Sequence, residues 1–205
     1  MSENGEILFC DKYPFNIEYL FNKLISQILK QEEVSDFFFK DDLHFKQLSS
    51  PNKIDLMIEP TNKCNLRCPT CFSHQDGRGK RDMFFEEFKK IINVNIDSIG
   101  NLSLYNYGEP LLNRDIYSMI KYAKEKGIRY IKLATNGMEL NKGNVTALLN
   151  SKLDYLSISL DGATAETYSK FRVGGNFNLI LDNIKNLVQQ RNNVKSNMKI
   201  ELQFI

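Results

Sequence analysis

The chain lacks any long apolar stretch. Its densest runs, such as "DFFF" and "LLN", stop after a few residues, which excludes a helix that spans a bilayer. It also lacks an excess of either charge, since 27 Lys and Arg stand against 25 Asp and Glu for a net charge of +2. That balance gives no electrostatic reason to expect a nucleic acid or an anionic membrane as partner. The opening "MSENGEILFCDKYPF" has no basic segment leading into an apolar core, so it does not read as a secretory signal. Cysteine is scarce, at four residues, and free thiols suit a reducing cytoplasm better than an oxidising compartment. What remains is an ordinary globular mix, 42% hydrophobic and 25% charged, long enough at 205 residues to bury one sizeable core.

Two regions differ in pattern. Residues 1–52 are rich in Phe, Lys, Asn and Glu, and "IEYLFNKLISQILK" sets Leu20, Ile25 and Ile28 at roughly helical spacing, predicting a helix near 17–30. A second short helix is expected in "EEVSDFFFKDDLHFKQLSSPN". This region reads as a helical N-terminal extension capping the main domain, with Cys10 and His44 as ordinary residues. From Lys53 to Ile205, strands alternate with helices. "IDLMIE", "NLSLYN", "YIKLAT", "YLSISL" and "MKIELQFI" read as strands. Between them "FFEEFKKII", "DIYSMIKYAKEKG", "NVTALLNS" and "FNLILDNIKNLVQQ" read as helices, with Gly127 placed as a C-terminal cap. Such repetition predicts an α/β fold with a parallel sheet or barrel, in which the loops after the strands gather at one end.

Every unusual motif falls in one of those loops. Cys64, Cys68 and Cys71 follow the first strand, Gly108-Glu109-Pro110 the second, Asn136-Gly137 the third, and Asp161-Gly162 closes the fourth. Three thiols at this spacing suit a soft metal or an iron–sulfur cluster, and three protein ligands on four irons leave one iron open. The rival is zinc, with His74 completing a tetrahedron with the three cysteines, although structural zinc motifs more often come as two separated pairs. Singly, each of the other motifs reads as turn or surface chemistry, Arg172 included. In order, and all after strands, they read as one site.

The C-x3-C-x2-C arrangement, with "IEPTNKCNLRCPTC", "YGEPLLN", "LATNG" and "SISLDGATAETYSKFR", resembles the radical S-adenosylmethionine (SAM) superfamily, especially members carrying a C-terminal SPASM or twitch extension. The likeness covers 53–205. It implies a (β/α)6 TIM-like barrel that is partial here and C-terminally incomplete, because the chain stops in the fifth strand. It implies a 4Fe-4S cluster on Cys64, Cys68 and Cys71, with SAM chelating the open iron. Residue by residue, it implies that Gly108, Glu109 and Pro110 meet the SAM amino group and that Asn136 lines the site. It places Ser159 and Asp161 on the ribose hydroxyls and Arg172 on the carboxylate. Two positions depart from the pattern: Tyr107 stands where a glycine is common, and Thr70 where an aromatic usually lies against adenine, with Phe72 beside it. The implied activity is that of an oxidoreductase-like enzyme. It cleaves SAM reductively to a 5′-deoxyadenosyl radical that takes hydrogen from a peptide or small-molecule substrate, with flavodoxin or ferredoxin as electron donor. The alternative is a non-catalytic domain using Cys64, Cys68, Cys71 and His74 for zinc or partner binding.

Overall fold

The computed structural model describes residues 53–74 and 77–204. The helix expected near 17–30 and the rest of the extension at 1–52 lie outside the described residues. Ten principal elements follow in order: β1 Ile54–Ile58, α1 Phe85–Asn95, β2 Ile99–Leu104, α2 Ile116–Glu125, β3 Tyr130–Thr135, α3 Lys142–Asn150, β4 Tyr155–Ser159, α4 Ala165–Phe171, α5 Phe177–Asn193 and β5 Lys199–Gln203. Each strand pairs in parallel with the next, so the sheet order is β1-β2-β3-β4-β5. A doubly wound sheet reverses its order midway. Right-handed crossovers in strictly consecutive order instead put the helices on one face, which is the winding of a TIM-like barrel. The expected partial barrel is thus the observed fold.

The helix-covered face holds the core. Leu102 and Leu104 of β2, Ile131 and Leu133 of β3, Leu156 and Ile158 of β4 and Ile200 of β5 pack against Phe88, Ile92, Met119, Ile120, Val145, Leu148, Ile184 and Leu187 from the helices. In α2 the buried residues are Ile116, Met119, Ile120 and Ala123, spaced i, i+3, i+4 and i+7 on one helical face. Gly127 takes φ +92 just past that helix, and Ile128 donates its N–H back to the Ala123 carbonyl, closing the end as a left-handed glycine does. Because strand side chains alternate, the opposite face carries the other set: Asn101, Ser103, Lys132, Tyr155, Ser157, Glu201 and Gln203. That face is polar.

One helix departs from expectation, because α4 lies where no helix was predicted, between β4 and α5. At seven residues it is too short to show an apolar period, and its one buried side chain is Tyr168. The local signal is chemical instead. Thr164 Oγ1 accepts from the Thr167 N–H at 3.2 Å, and Thr167 Oγ1 accepts from the Thr164 N–H at 3.1 Å, a reciprocal cap that starts the helix.

Candidate active site at the carboxyl ends of the strands

The loop after β1 is stitched in place by hydrogen bonds that involve none of its thiols. Thr61 donates to Asp82 Oδ1 at 2.6 Å, Asn62 donates to the Gly79 carbonyl at 3.0 Å and accepts from the Arg81 N–H at 2.7 Å. Buried Asn113 donates to the Pro60 and Met83 carbonyls at 2.8 and 3.0 Å. Gly108 then lets the loop after β2 touch this one, since a Cβ there would stand 1.8 Å from the Thr61 carbonyl oxygen. Its backbone is not in the left-handed region, so glycine serves close approach here and not turn geometry. Next to it, Glu109 N–H donates to the Lys63 carbonyl at 2.7 Å.

Glu109 is buried, 2% exposed, and its carboxylate binds the loops together. Oε1 accepts from the Leu111 N–H at 3.2 Å and the Thr135 hydroxyl at 2.7 Å, and Oε2 accepts from the Asn136 N–H at 2.7 Å. Burial pushes its pKa up to about 7, against the pull of those three donors. Pro110 opens a short 3-10 turn, Pro110–Leu112, for which Glu109 is the cap. Asn136 continues the chain of contacts. Its amide donates to Asn65 Oδ1 at 2.7 Å and approaches Cys64 Sγ at 4.0 Å.

The three thiols are free and partly exposed. Cys64 Sγ accepts from the Leu66 N–H at 3.4 Å and Cys71 Sγ from the Ser73 N–H at 3.5 Å, while Arg172 Nη1 lies 3.7 Å from Cys68 Sγ. Every sulfur therefore faces an N–H donor, the environment that stabilises thiolate ligands. Burial raises the pKa of Cys64, with the Leu66 N–H opposing it. A pocket of about 390 Å³ opens here, lined by Arg67, Cys68, Pro69, Cys71 and His74.

Arg172 and Asp161 meet one another. They form an ion pair in which the side chains are 16% and 3% exposed, and Arg172 Nε is buried with no hydrogen-bond partner. Asp161 sits at φ +50 two residues past the end of β4, and Ser159 ends that strand beside Gln203 of β5. All the residues expected at the site are thus on one rim, but Glu109 faces inward and Asp161 engages Arg172. Sequence reasoning missed Thr135, Asn65 and Asn113, whose roles are contacts across loops. Only Thr135 had a local signal, its position in "LATNG".

The rival zinc reading needs His74 to stand with the three cysteines around one ion. Among the described residues no group of three His, Cys, Asp or Glu side chains is close enough to hold a single metal ion, and His74 Nε2 is hydrogen-bonded to the Leu66 carbonyl.

Comparison with known proteins decides the family: the model of the radical SAM superfamily matches residues 58–199. This chain belongs to the radical SAM superfamily. The cofactors of that superfamily are a 4Fe-4S cluster and SAM, and the thiols with their N–H donors fit the cluster. The radical SAM chain is 31% identical over 150 residues to the Fe-coproporphyrin III synthase of Methanosarcina barkeri, covering 72% of this chain and 37% of that protein. It is 33% identical over 132 residues to a probable GTP 3′,8-cyclase of Methanococcus maripaludis, covering 63% and 43%. It thus spans less than half the length of these relatives. In fold it is similar to Streptococcus suis SuiB bound to its precursor peptide SuiA, with TM-score 0.59 and 19% identity, covering 100% of this chain and 40% of that one.

Proposed function

We propose that this rim is the cofactor site of a radical SAM oxidoreductase-like enzyme, with Cys64, Cys68 and Cys71 as the cluster ligands. The observation that carries the reading is that each of the three sulfurs, presented by one loop, faces an N–H donor. When bound, the cofactors supply one-electron cleavage of SAM to methionine and a 5′-deoxyadenosyl radical able to abstract hydrogen.

The chain's own residues hold the geometry. Glu109 locks the loops after β2 and β3 at a fixed spacing. The backbone of Gly108-Glu109-Pro110 offers carbonyl acceptors to the SAM ammonium, while the Glu109 side chain stays inside. Asn136 orients Asn65 and Cys64. Ser159 and Asp161 would bind the ribose hydroxyls, and Arg172, paired with Asp161 and without a partner at Nε, would also bind the SAM carboxylate. The substrate is a peptide or a small molecule: a peptide is bound in the SuiB structure, and small molecules give the cyclase and the synthase their names. Flavodoxin or ferredoxin is the proposed electron donor and the cytoplasm the proposed location. No helix among the described residues is long and apolar enough to cross a membrane.

Anaerobic reconstitution with iron and sulfide tests this directly. A cluster absorbance, an electron paramagnetic resonance signal that changes with SAM, and 5′-deoxyadenosine after reduction are expected, with the cluster lost in Cys64→Ser, Cys68→Ser and Cys71→Ser. Stoichiometric zinc with no cluster signal would sink the reading.

A further inference from the structure

The polar face of the sheet contains a charge that the site described above does not use. Lys132, in the middle of β3, has its Nζ 4.9 Å from the Tyr155 ring centroid and 6.0 Å from that of Tyr105. No carboxylate among the described residues pairs with it, so its partners are two aromatic faces. A cation held between rings keeps its three N–H donors available to an anion that displaces water.

The layer above Lys132 is built differently. Parallel register sets Lys132 beside Tyr155, then Ala134 beside Ser157 and Glu201. Ala134 contributes only a methyl group to that layer. Next to it Ser157, 1% exposed, donates its hydroxyl to Glu201 Oε2 at 2.7 Å, which holds that carboxylate against the wall. From the Lys132–Tyr155 layer to Ser159 the strand climbs four residues, roughly 13 Å. Along this face, therefore, a cationic layer flanked by aromatic rings comes first, then a layer with a held carboxylate, on the way to the cysteine rim.

We propose that Lys132 binds an anionic group of the substrate, a carboxylate or a phosphate, and so suspends the reacting carbon toward the rim. Its standing as a substrate site rests on the radical SAM reading, whereas anion binding at Lys132 does not. Lys132 is then a specificity-determining residue that takes no part in SAM cleavage.

The test uses the reconstituted 205-residue chain carrying 13C-labelled tyrosine, titrated with glutarate and with pyrophosphate. At least one anion shifts the Tyr105 and Tyr155 signals. Lys132→Gln weakens that binding about tenfold, and Lys132→Arg keeps it. A response to glutarate alone assigns a carboxylate, and a response to pyrophosphate alone a phosphate. Equal affinity in wild type and Lys132→Gln, or no shift with either anion, overturns the proposal. Cluster absorbance and 5′-deoxyadenosine formation are measured on both proteins. Their loss in the wild type condemns the radical SAM reading and leaves the anion result standing, while their retention in Lys132→Gln shows that the variant folds.

Discussion

Glu109 concentrates the electrostatics of the rim in one side chain. Its carboxylate accepts three hydrogen bonds, yet burial outweighs them and its pKa stands at about 7 instead of the usual 4.5. Below pH 4.5 the group is protonated in both folded and unfolded chains, and the stability it permits is fully present. Between 4.5 and 7 the unfolded chain ionises first, so stability falls as pH rises, by about 3 kcal/mol over that window, and then levels off. Urea unfolding of wild type and Glu109→Gln from pH 4.5 to 7.5 should show that difference closing in the variant, which has no proton to lose. Parallel curves would mean that Glu109 ionises like an exposed carboxylate. The glycine-glutamate-proline motif was legible as a string, but not the inward direction of its carboxylate. Direction depends on Thr135 and Asn136, which arrive from another strand.

Among the elements, α4 shows how a short helix can matter more than its length suggests. It begins at the Thr164 cap, buries Tyr168, and delivers Arg172 from its carboxyl end to Asp161 and Cys68. Thr164→Ala removes the side-chain half of the cap at a cost of about 1 kcal/mol. The expected outcome is faster amide hydrogen exchange through 165–171 with little change in α5, and a weaker affinity for SAM because Arg172 is held less firmly. Unchanged exchange in α4 would show that the burial of Tyr168 alone holds the helix. The longer helices and the strands were readable because their apolar residues repeat at 3.6 or 2.0 residues over several turns or layers. In α4 there is one buried residue and hence no period to read.

For the whole molecule, four loops from separate parts of the chain meet only at the carboxyl ends of the strands, where cofactors would bridge them. Cofactor binding to the folded chain alone stabilises it by mass action. SAM at about 100 times its Kd adds about 2.7 kcal/mol, roughly 5–10 °C in Tm for a chain of this size. Anaerobic calorimetry of the reconstituted protein, with and without SAM and after removal of the iron by chelation, should rank the three states in that order. A Tm unmoved by iron removal would mean that the hydrogen bonds of the loops hold the rim unaided. The sequence by itself determined the alternation of strands with the longer helices, the stripe each of those helices buries and the clustering of the thiols, because all three depend on spacing along the chain. Tertiary structure decided that Glu109 points inward, that Asp161 pairs with Arg172, and that Lys132 is left between two tyrosines on a polar face. Each of those outcomes depends on which strand lies beside which, and residues far apart in sequence reveal their partners only when the sheet has brought them together.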